Sequence, residues 1–483
     1  MAFAAVSNAF AGGLLTNTNQ NAAFVRNFAL EGKTELTSIY ANPAGGAFLE
    51  NGWHLSLNSQ TAFQERNIDT YFLPFTKNVN NPNPTHRFEG KATAPLVPSF
   101  TVSYNRDKWS ISSHLAITGG GGKCEFSDGL GSFESIGAAI PSAVTTGIKG
   151  ALMGAPFNMP EAMASNAAKM YGPDSYSMNS SMKGRSYYFG LQLGGTYKFL
   201  DNLSGYVGVR GIYATCSYSG FVGDLDLINS ATGATALPTT LPAPYGGLPY
   251  IDIVRQNYGN AEPTIDLNCD QTGFGVSPIV GIDWKINNHW NVSAKYEFRT
   301  KINLKNKSQM SKMATLLANT KQGEALGQFK DGEKVREDMP ALLALGVQYS
   351  PVEKVRLDAA YHQFFDKDSK KYNDKQNLID HNTHEFIVGA EYDICKLITI
   401  SGSWEYTRYG LSDEFMNDLS FSLSNYMFGG GVRINATKKL SFDLGYMCTF
   451  YNSRNVEDKK MPGKIDHYDR KNHTFGIGVN YDF

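Results

Sequence analysis

The chain has 483 residues, 18% of them charged, and a formal net charge of −1. That balance creates no global field to draw nucleic acid or an anionic surface, and no apolar run approaches the roughly 18 residues of a spanning helix. Nucleic-acid binding and a helical membrane protein are therefore excluded, leaving two or three soluble domains or one large membrane barrel.

The amino terminus is small and apolar, with an A-x-A-like Ala9-Phe10-Ala11 but no basic segment before it. It reads as the remnant of a secretory signal over residues 1–11, against an ordinary flexible terminus. Residues 12–51 follow, rich in Asn, Ala and Gly, and carry Asn42-Pro43-Ala44-Gly45-Gly46 near their end. Pro43 fixes φ and keeps Asn42 out of the helical region. Asn42 can close the resulting turn on nearby backbone groups, and the small residues after it let the backbone pass close to a wall.

From Trp53 onward one pattern repeats. Trp53, Leu55 and Leu57 alternate with His54, Ser56 and Asn58, the period of two that marks a strand with one apolar face. Similar runs are expected at 97–104, 109–118, 186–199, 203–217, 273–286, 290–304, 339–350, 355–365, 383–393, 397–407, 422–434, 440–451 and 472–483, which makes fourteen strands. Short turns (105–108, 200–202, 287–289, around Pro351, 394–396, 435–439) alternate with long connections (64–96, 119–185, 218–272, 305–338, 366–382, 408–421, 452–471). A soluble sandwich has no reason to keep that rhythm, whereas a membrane barrel has tight turns on one side and long loops on the other.

The expected fold is all-β: a fourteen-stranded antiparallel transmembrane barrel over 52–483, plugged by an amino-terminal hatch over 12–51. The apolar faces then meet lipid, with Trp109, Trp284, Trp290, Tyr361, Trp404 and Tyr406 as interfacial girdles, and closure leaves no unpaired edge. The last run alternates His473, Phe475, Ile477, Val479 and Tyr481 with polar or small residues and ends at Phe483. It resembles the carboxy-terminal sorting strand of bacterial outer-membrane barrels, which gives Phe483 a role in assembly.

The cysteines (Cys124, Cys216, Cys269, Cys395, Cys448) include no C-x-x-C pair, so no zinc site or disulfide framework is indicated. Cys216 and Cys269 flank one long connection, and a bridge across its base is one expectation; free thiols are the other. No G-x-S-x-G elbow, H-E-x-x-H motif or phosphate-cradling loop occurs. Neither an enzyme nor a cofactor is expected, and an outer-membrane lipid hydrolase is the weaker alternative.

Asn42-Pro43-Ala44, placed after a plug-like segment and before fourteen strands ending in Phe483, resembles the FadL/TodX family of outer-membrane transporters of hydrophobic compounds. The resemblance covers the full length. It implies a monomeric, passive channel in a bacterial outer membrane, inserted by the barrel-assembly machinery. Its ligands would be fatty acids or aromatic hydrocarbons, captured between outer loops, held near the hatch and released sideways into membrane lipid through a kink in the third strand.

For that exit, Gly119, Gly120, Gly121 and Gly122 offer a run without side chains, although they could equally begin the long loop. For capture, Met310, Met313, Ala314 and Leu317 stand at helical spacing in the connection at 305–338, and Met163, Ala167 and Met170 do so in 160–171; such stripes adapt to alkyl chains or simply bury against neighbouring loops. For the lumen, strand parity nominates Arg210, Lys295, Arg299, Arg356 and Arg433, beside Glu297, Asp358, His362, Glu405 and Asp443. A basic residue here would hold a carboxylate or join a cross-strand ion pair. A general aqueous porin is the main alternative, opposed by the plug.

Overall fold

The computed structural model describes residues 19–239, 246–319 and 324–483. The signal remnant at 1–11 and the first residues of the hatch lie outside them. Strand β1 (Gly52–Tyr71) pairs with β2 (Thr85–Arg106) on one side and with the last strand, β17 (Ile465–Asp482), on the other, so the sheet closes.

Between them run β3 (Trp109–Phe126), β4 (Ser175–Leu200), β5 (Leu203–Ile228), β6 (Ile265–Lys285), β7 (Trp290–Glu297), β8 (Asn303–Met310), β9 (Lys334–Arg336), β10 (Leu342–Val352), β11 (Val355–Phe364), β12 (Thr383–Asp393), β13 (Ile398–Arg408), β14 (Asn425–Asn435), β15 (Leu440–Tyr451) and the short β16 (Arg454–Glu457). The barrel has fourteen antiparallel staves. β7 with β8, and β9 with β10, are single staves interrupted at one height, where Thr300 bridges Met339, and β16 only extends the last outer hairpin.

The alternation puts polar groups inside. Ser56, Thr101, Ser103, Ser112 and Ser204 are buried, while Leu57, Val207, Phe274, Phe475 and Ile477 stand exposed on the outer wall. That reversal of a soluble core is what a bilayer requires. Aromatic pairs such as Trp53–Tyr104, Trp109–Tyr197 and Trp290–Tyr349 ring the end with short turns. Phe483 donates its backbone N–H to Trp53 O there, at 2.9 Å.

Several strands are longer than their periodicity indicates, at the loop end. β1 reaches Tyr71 rather than residue 63, and β2 begins at Thr85 rather than 97. Above the lipid band both faces are polar, as in Gln64-Glu65-Arg66-Asn67, so the period of two fades although the ladder continues. The expected strand at 290–304 is broken, and Met310 ends β8 instead of opening a helix.

The outer connections carry α2 (Gly131–Met153), α3 (Glu161–Tyr171), α4 (Tyr250–Asn257) and α5 (Lys312–Leu317). Contrary to expectation, α2 is long and apolar enough to cross a membrane by length and composition. It packs instead on β4, β5 and α3, with Phe133, Ile136, Val144 and Ile148 buried. Cys216 and Cys269 are both free and buried. They sit on neighbouring strands two residues out of register, Cys216 opposite Gln271 and Cys269 opposite Tyr218, so the expected bridge is absent.

Candidate functional site: a plugged lumen beside an interrupted wall

The hatch is pinned to the wall by its own turn chemistry. Asn42 caps the 3-10 turn Pro43–Phe48: its Oδ1 accepts from Gly45 N–H at 3.1 Å, and its Nδ2 donates to Lys33 O at 3.0 Å and to the Asp283 carboxylate. The carbonyls of Pro43, Ala44 and Gly46 accept from Thr196, Ser204 and Asn105 of the barrel. Ala44 is buried against Tyr206 and Ile279. On the wall, Gly346 and Gly445 make room for hatch backbone; a Cβ there would stand 2.3 Å from Glu31 Cβ and 2.9 Å from Arg26 N, closer than any side chain tolerates.

Charge completes the seating. Arg26 of helix α1 (Ala22–Arg26) donates to Asp443 at 2.8 Å, Glu391 at 2.6 Å and Ser401 at 3.0 Å, with about 1% of its surface exposed. Lys33 lies 2.7 Å from Glu391 and 3.4 Å from Asp358, and Glu35 meets Arg433. His362 bridges Glu31 of the hatch and Glu385 of the wall at 2.9 and 2.7 Å.

Most of the basic residues nominated from strand parity are engaged in this way. Arg210 pairs with Glu297 at 2.8 Å and lies over the Tyr40 ring, and Lys295 donates to Tyr40 O. Arg356 binds Glu391 and Asp393, and Arg433 binds Asp443 as well as Glu35. Arg299 faces Asp368 O and Asp338. Buried charges are tolerated when neutralised and hydrogen-bonded in this manner.

Above the hatch, the loops fold inward into an apolar vestibule. Phe133, Ile136, Met182, Tyr218, Leu267, Met313, Leu317, Phe329, Phe415 and Leu419 form its packed interior, with Met310 against its edge. Two cavities of about 20 and 30 Å³ lie within it, the first lined by no polar surface and the second by Ile136, Met178, Val254 and Met313 among others. Met163 and Met170 of α3 remain exposed on the outside.

One loop cation intrudes on this packing. Lys375 is buried over the Phe415 ring at 4.4 Å, and no acceptor among the described residues takes its Nζ. Burial pushes its ammonium down to about 7. The folded loop therefore holds fewer protons than the unfolded one between about pH 7 and the normal lysine range, and its stability rises with pH across that window. Proteolysis within 366–382 should be faster at pH 6 than at pH 9, and Lys375→Met should remove the difference.

The wall itself is interrupted beside the hatch. β2 and β3 pair at Gly90–Phe126 and Lys91–Glu125, lose contact, and pair again only from Phe100–Leu115. On its other edge β3 slips register against β4 at Gly119 and again before Gly122. Gly120 and Gly122 have φ of +103° and +67°, and a Cβ on Gly120 would stand 2.4 Å from Ser186 O. Only glycine meets both demands. Gly119–Gly122 is thus part of strand β3, and the reading that these glycines begin the loop is corrected. On β2 the matching segment is Ala94-Pro95-Leu96-Val97-Pro98, whose two prolines bring no N–H to a ladder.

Behind the interruption lies a cavity of about 200 Å³, bounded by Gln60, Gln64, Ala92, Ala94, Ile117, Gly119, Gly120 and Gly122, and by Phe421, Met447 and Tyr451. The hatch reaches it through Gln20. Its Oε1 accepts from Ile117 N–H at 2.7 Å, its Nε2 donates to Ile117 O, and its own carbonyl accepts from Ser99 on β2 at 3.0 Å. A side-chain amide here replaces the missing strand. Neither Gln20 nor the proline pair was singled out by periodicity, although two prolines in one central strand are a readable sign of interrupted pairing.

No family model and no curated protein matches the sequence. Solved structures do. A Pseudomonas aeruginosa FadL homologue is 15% identical with a TM-score of 0.64, over 98% of this chain and 100% of that one. The P. putida toluene transporter TodX (11%, 0.52) and the Ralstonia pickettii toluene transporter TbuX (12%, 0.51) each align over 93% of this chain and 94% of their own. The chain has the fold of the FadL/TodX channels.

Proposed function

We propose that the protein is a member of that channel family in a bacterial outer membrane, carrying hydrophobic small molecules passively and without catalysis. The vestibule, with Met313 and Leu317 in its interior and Met310 at its edge, takes up the guest. The guest then passes to the cavity beside the hatch and leaves sideways between β2 and β3 into the bilayer.

The observation that carries this reading is the unpaired stretch of wall between Lys91–Glu125 and Phe100–Leu115. A strand edge facing lipid leaves backbone groups unsatisfied, so a sequence that places glycines and prolines there gives up sheet pairing at a defined height. An apolar guest that leaves by this route never re-enters water. Residues 19–47 are mostly buried and bond the inner wall at several points, which supports a plug and disfavours an open aqueous porin. Arg210, Lys295, Arg299, Arg356 and Arg433 are assigned to holding hatch and loops, and Phe483 to closure and assembly.

The test is transfer of toluene, dodecanoate and arabinose by cells with and without the protein. Faster transfer of the apolar compounds alone supports the channel; faster arabinose transfer alone means an open pore and defeats it.

A further inference from the structure

The outer rim of the barrel wall is uneven in charge. Where β1, β2 and β3 run above the lipid band, outward cations meet carboxylates: Arg87 lies 3.2 Å from Glu89, Lys91 3.8 Å from the same acid, and Lys123 3.3 Å from Glu125. The flank made by β6, β8 and β9 differs. On β8 Leu304 and Asn306 are buried, so Asn303, Lys305 and Lys307 face outward, and Lys301 is exposed just before them. Lys334 of β9 is exposed directly opposite Lys305 in the register. Side chains so placed are about 5 Å apart at Cβ, and like charges there repel.

None of these four lysines forms an ion pair among the described residues, although acids stand nearby. Asp270 is opposite Lys307 on β6 and Glu333 precedes Lys334, and neither engages them. Asp331 accepts from Ser308 N–H at 2.8 Å, and Arg336 is held by Asp338 at 3.0 Å. A ladder only three residue pairs long, β8 on β9, thus carries two opposed cations without a counter-ion.

Their height is fixed by the wall. On β6 the exposed residues Trp284, Ile282, Val280, Val276 and Phe274 are apolar and give way to Thr272, Asp270 and Asn268. Lys305 pairs with Thr272, which puts it two residues, about 7 Å along the strand, above Phe274. On its own stave Phe298 is the exposed aromatic below Lys301. The head-group layer adds roughly 5–7 Å to each side of the hydrocarbon, so the lysines stand at the level of lipid phosphates and the apolar wall beneath them at the level of the chains.

We propose that Lys301, Lys305, Lys307 and Lys334 form a docking surface for a phosphate-bearing lipid of the outer leaflet, its phosphate between Lys305 and Lys334 and its chains over Phe274 and Phe298. An ammonium binds phosphate as a point charge, and the phosphate cancels the repulsion across the β8–β9 ladder. The inference rests on the membrane placement in the channel reading and is independent of what the channel carries.

The experiment is native mass spectrometry of the full chain in dodecyl maltoside with lipid A bearing two phosphates and with the same lipid stripped of phosphate, inorganic phosphate being added as competitor. The native protein should select the phosphorylated lipid. Lys305→Gln and Lys334→Gln should each weaken it about fivefold, while Lys305→Arg, and Lys91→Gln on the paired flank, should bind like the native protein. Equal binding of the two lipids, or undiminished binding by the Lys305→Gln/Lys334→Gln double variant, would overturn the docking surface. Displacement of the lipid by millimolar inorganic phosphate would mark a site for free anions and overturn its lipid form. Toluene transfer keeps the two readings apart: a protein that selects the phosphorylated lipid but moves no toluene retains the docking surface and loses the channel, and the reverse result does the opposite.

Discussion

Ala92→Trp is expected to reduce transfer of toluene and dodecanoate at least tenfold while leaving the barrel folded. Ala92 is half-buried on β2, immediately past the last outer pair with β3, and lines the cavity behind the opening. An indole there occupies the space a guest must cross, without touching the hatch anchors or the closing seam. Ala92→Ser is the size control and should transfer normally. Gln20→Leu should act in the opposite direction. It strips the Ile117 N–H and C=O of their amide partner, at a cost of about 1–3 kcal/mol for each group left unsatisfied, and so loosens the seam. Transfer that is unchanged in Ala92→Trp would mean the guest leaves elsewhere.

Arg26→Ala should release the hatch. The side chain is almost wholly buried and bonds Asp443, Glu391 and Ser401 on three strands. Removing one partner from a buried ionic cluster costs about 3–5 kcal/mol, here softened because Lys33, Arg356 and Arg433 still face the two acids. The expected result is protease cleavage within 19–51 under conditions where the native hatch is resistant, with arabinose leakage, while the outer strands still resist heat in detergent. A hatch as resistant as the native one would assign its seating to the Asn42 turn instead. The double variant with Asn42→Ala would then be the one to leak.

The fourteen staves were legible because a membrane barrel writes the same period of two into every strand and lengthens loops on one side only. The turn at Asn42-Pro43 was legible, since the proline fixes its own φ and restricts the residue before it. Strand ends were hidden for a physical reason: outside the lipid band the outward face need not be apolar, so Thr85–Lys91 turns Arg87, Glu89 and Lys91 outward and Gln64–Asn67 is polar on both faces, although both stretches pair. Gly119–Gly122 could be seen but not placed, because four glycines suit a bulged strand and a loop equally, and only the partner on β2 decides. Parity nominated Arg210, Lys295 and Arg433 as inward-facing. It could not say that Arg210 and Arg433 meet carboxylates of β7, β15 and the hatch, or that Lys295 donates to the Tyr40 carbonyl. The closure of the barrel, β1 against β17, joins stretches that no local pattern brings together.

That last meeting, together with the hatch anchors, sets an order of assembly. Arg26 and Asp443 are 417 residues apart in sequence, and Asn480 of the final strand holds the same carboxylate at 2.8 Å. These contacts cannot form until β15 and β17 exist. The plug lies close against Gly445 and Gly476, where a Cβ would stand 2.9 Å from Arg26 N and from Val25 Cγ2, so its final seat exists only once these strands are in place. The contacts of the first-made segment are therefore completed only with the last-made strands. The same polar cluster that blocks the lumen in the finished protein thus marks the point at which the growing sheet is long enough to close.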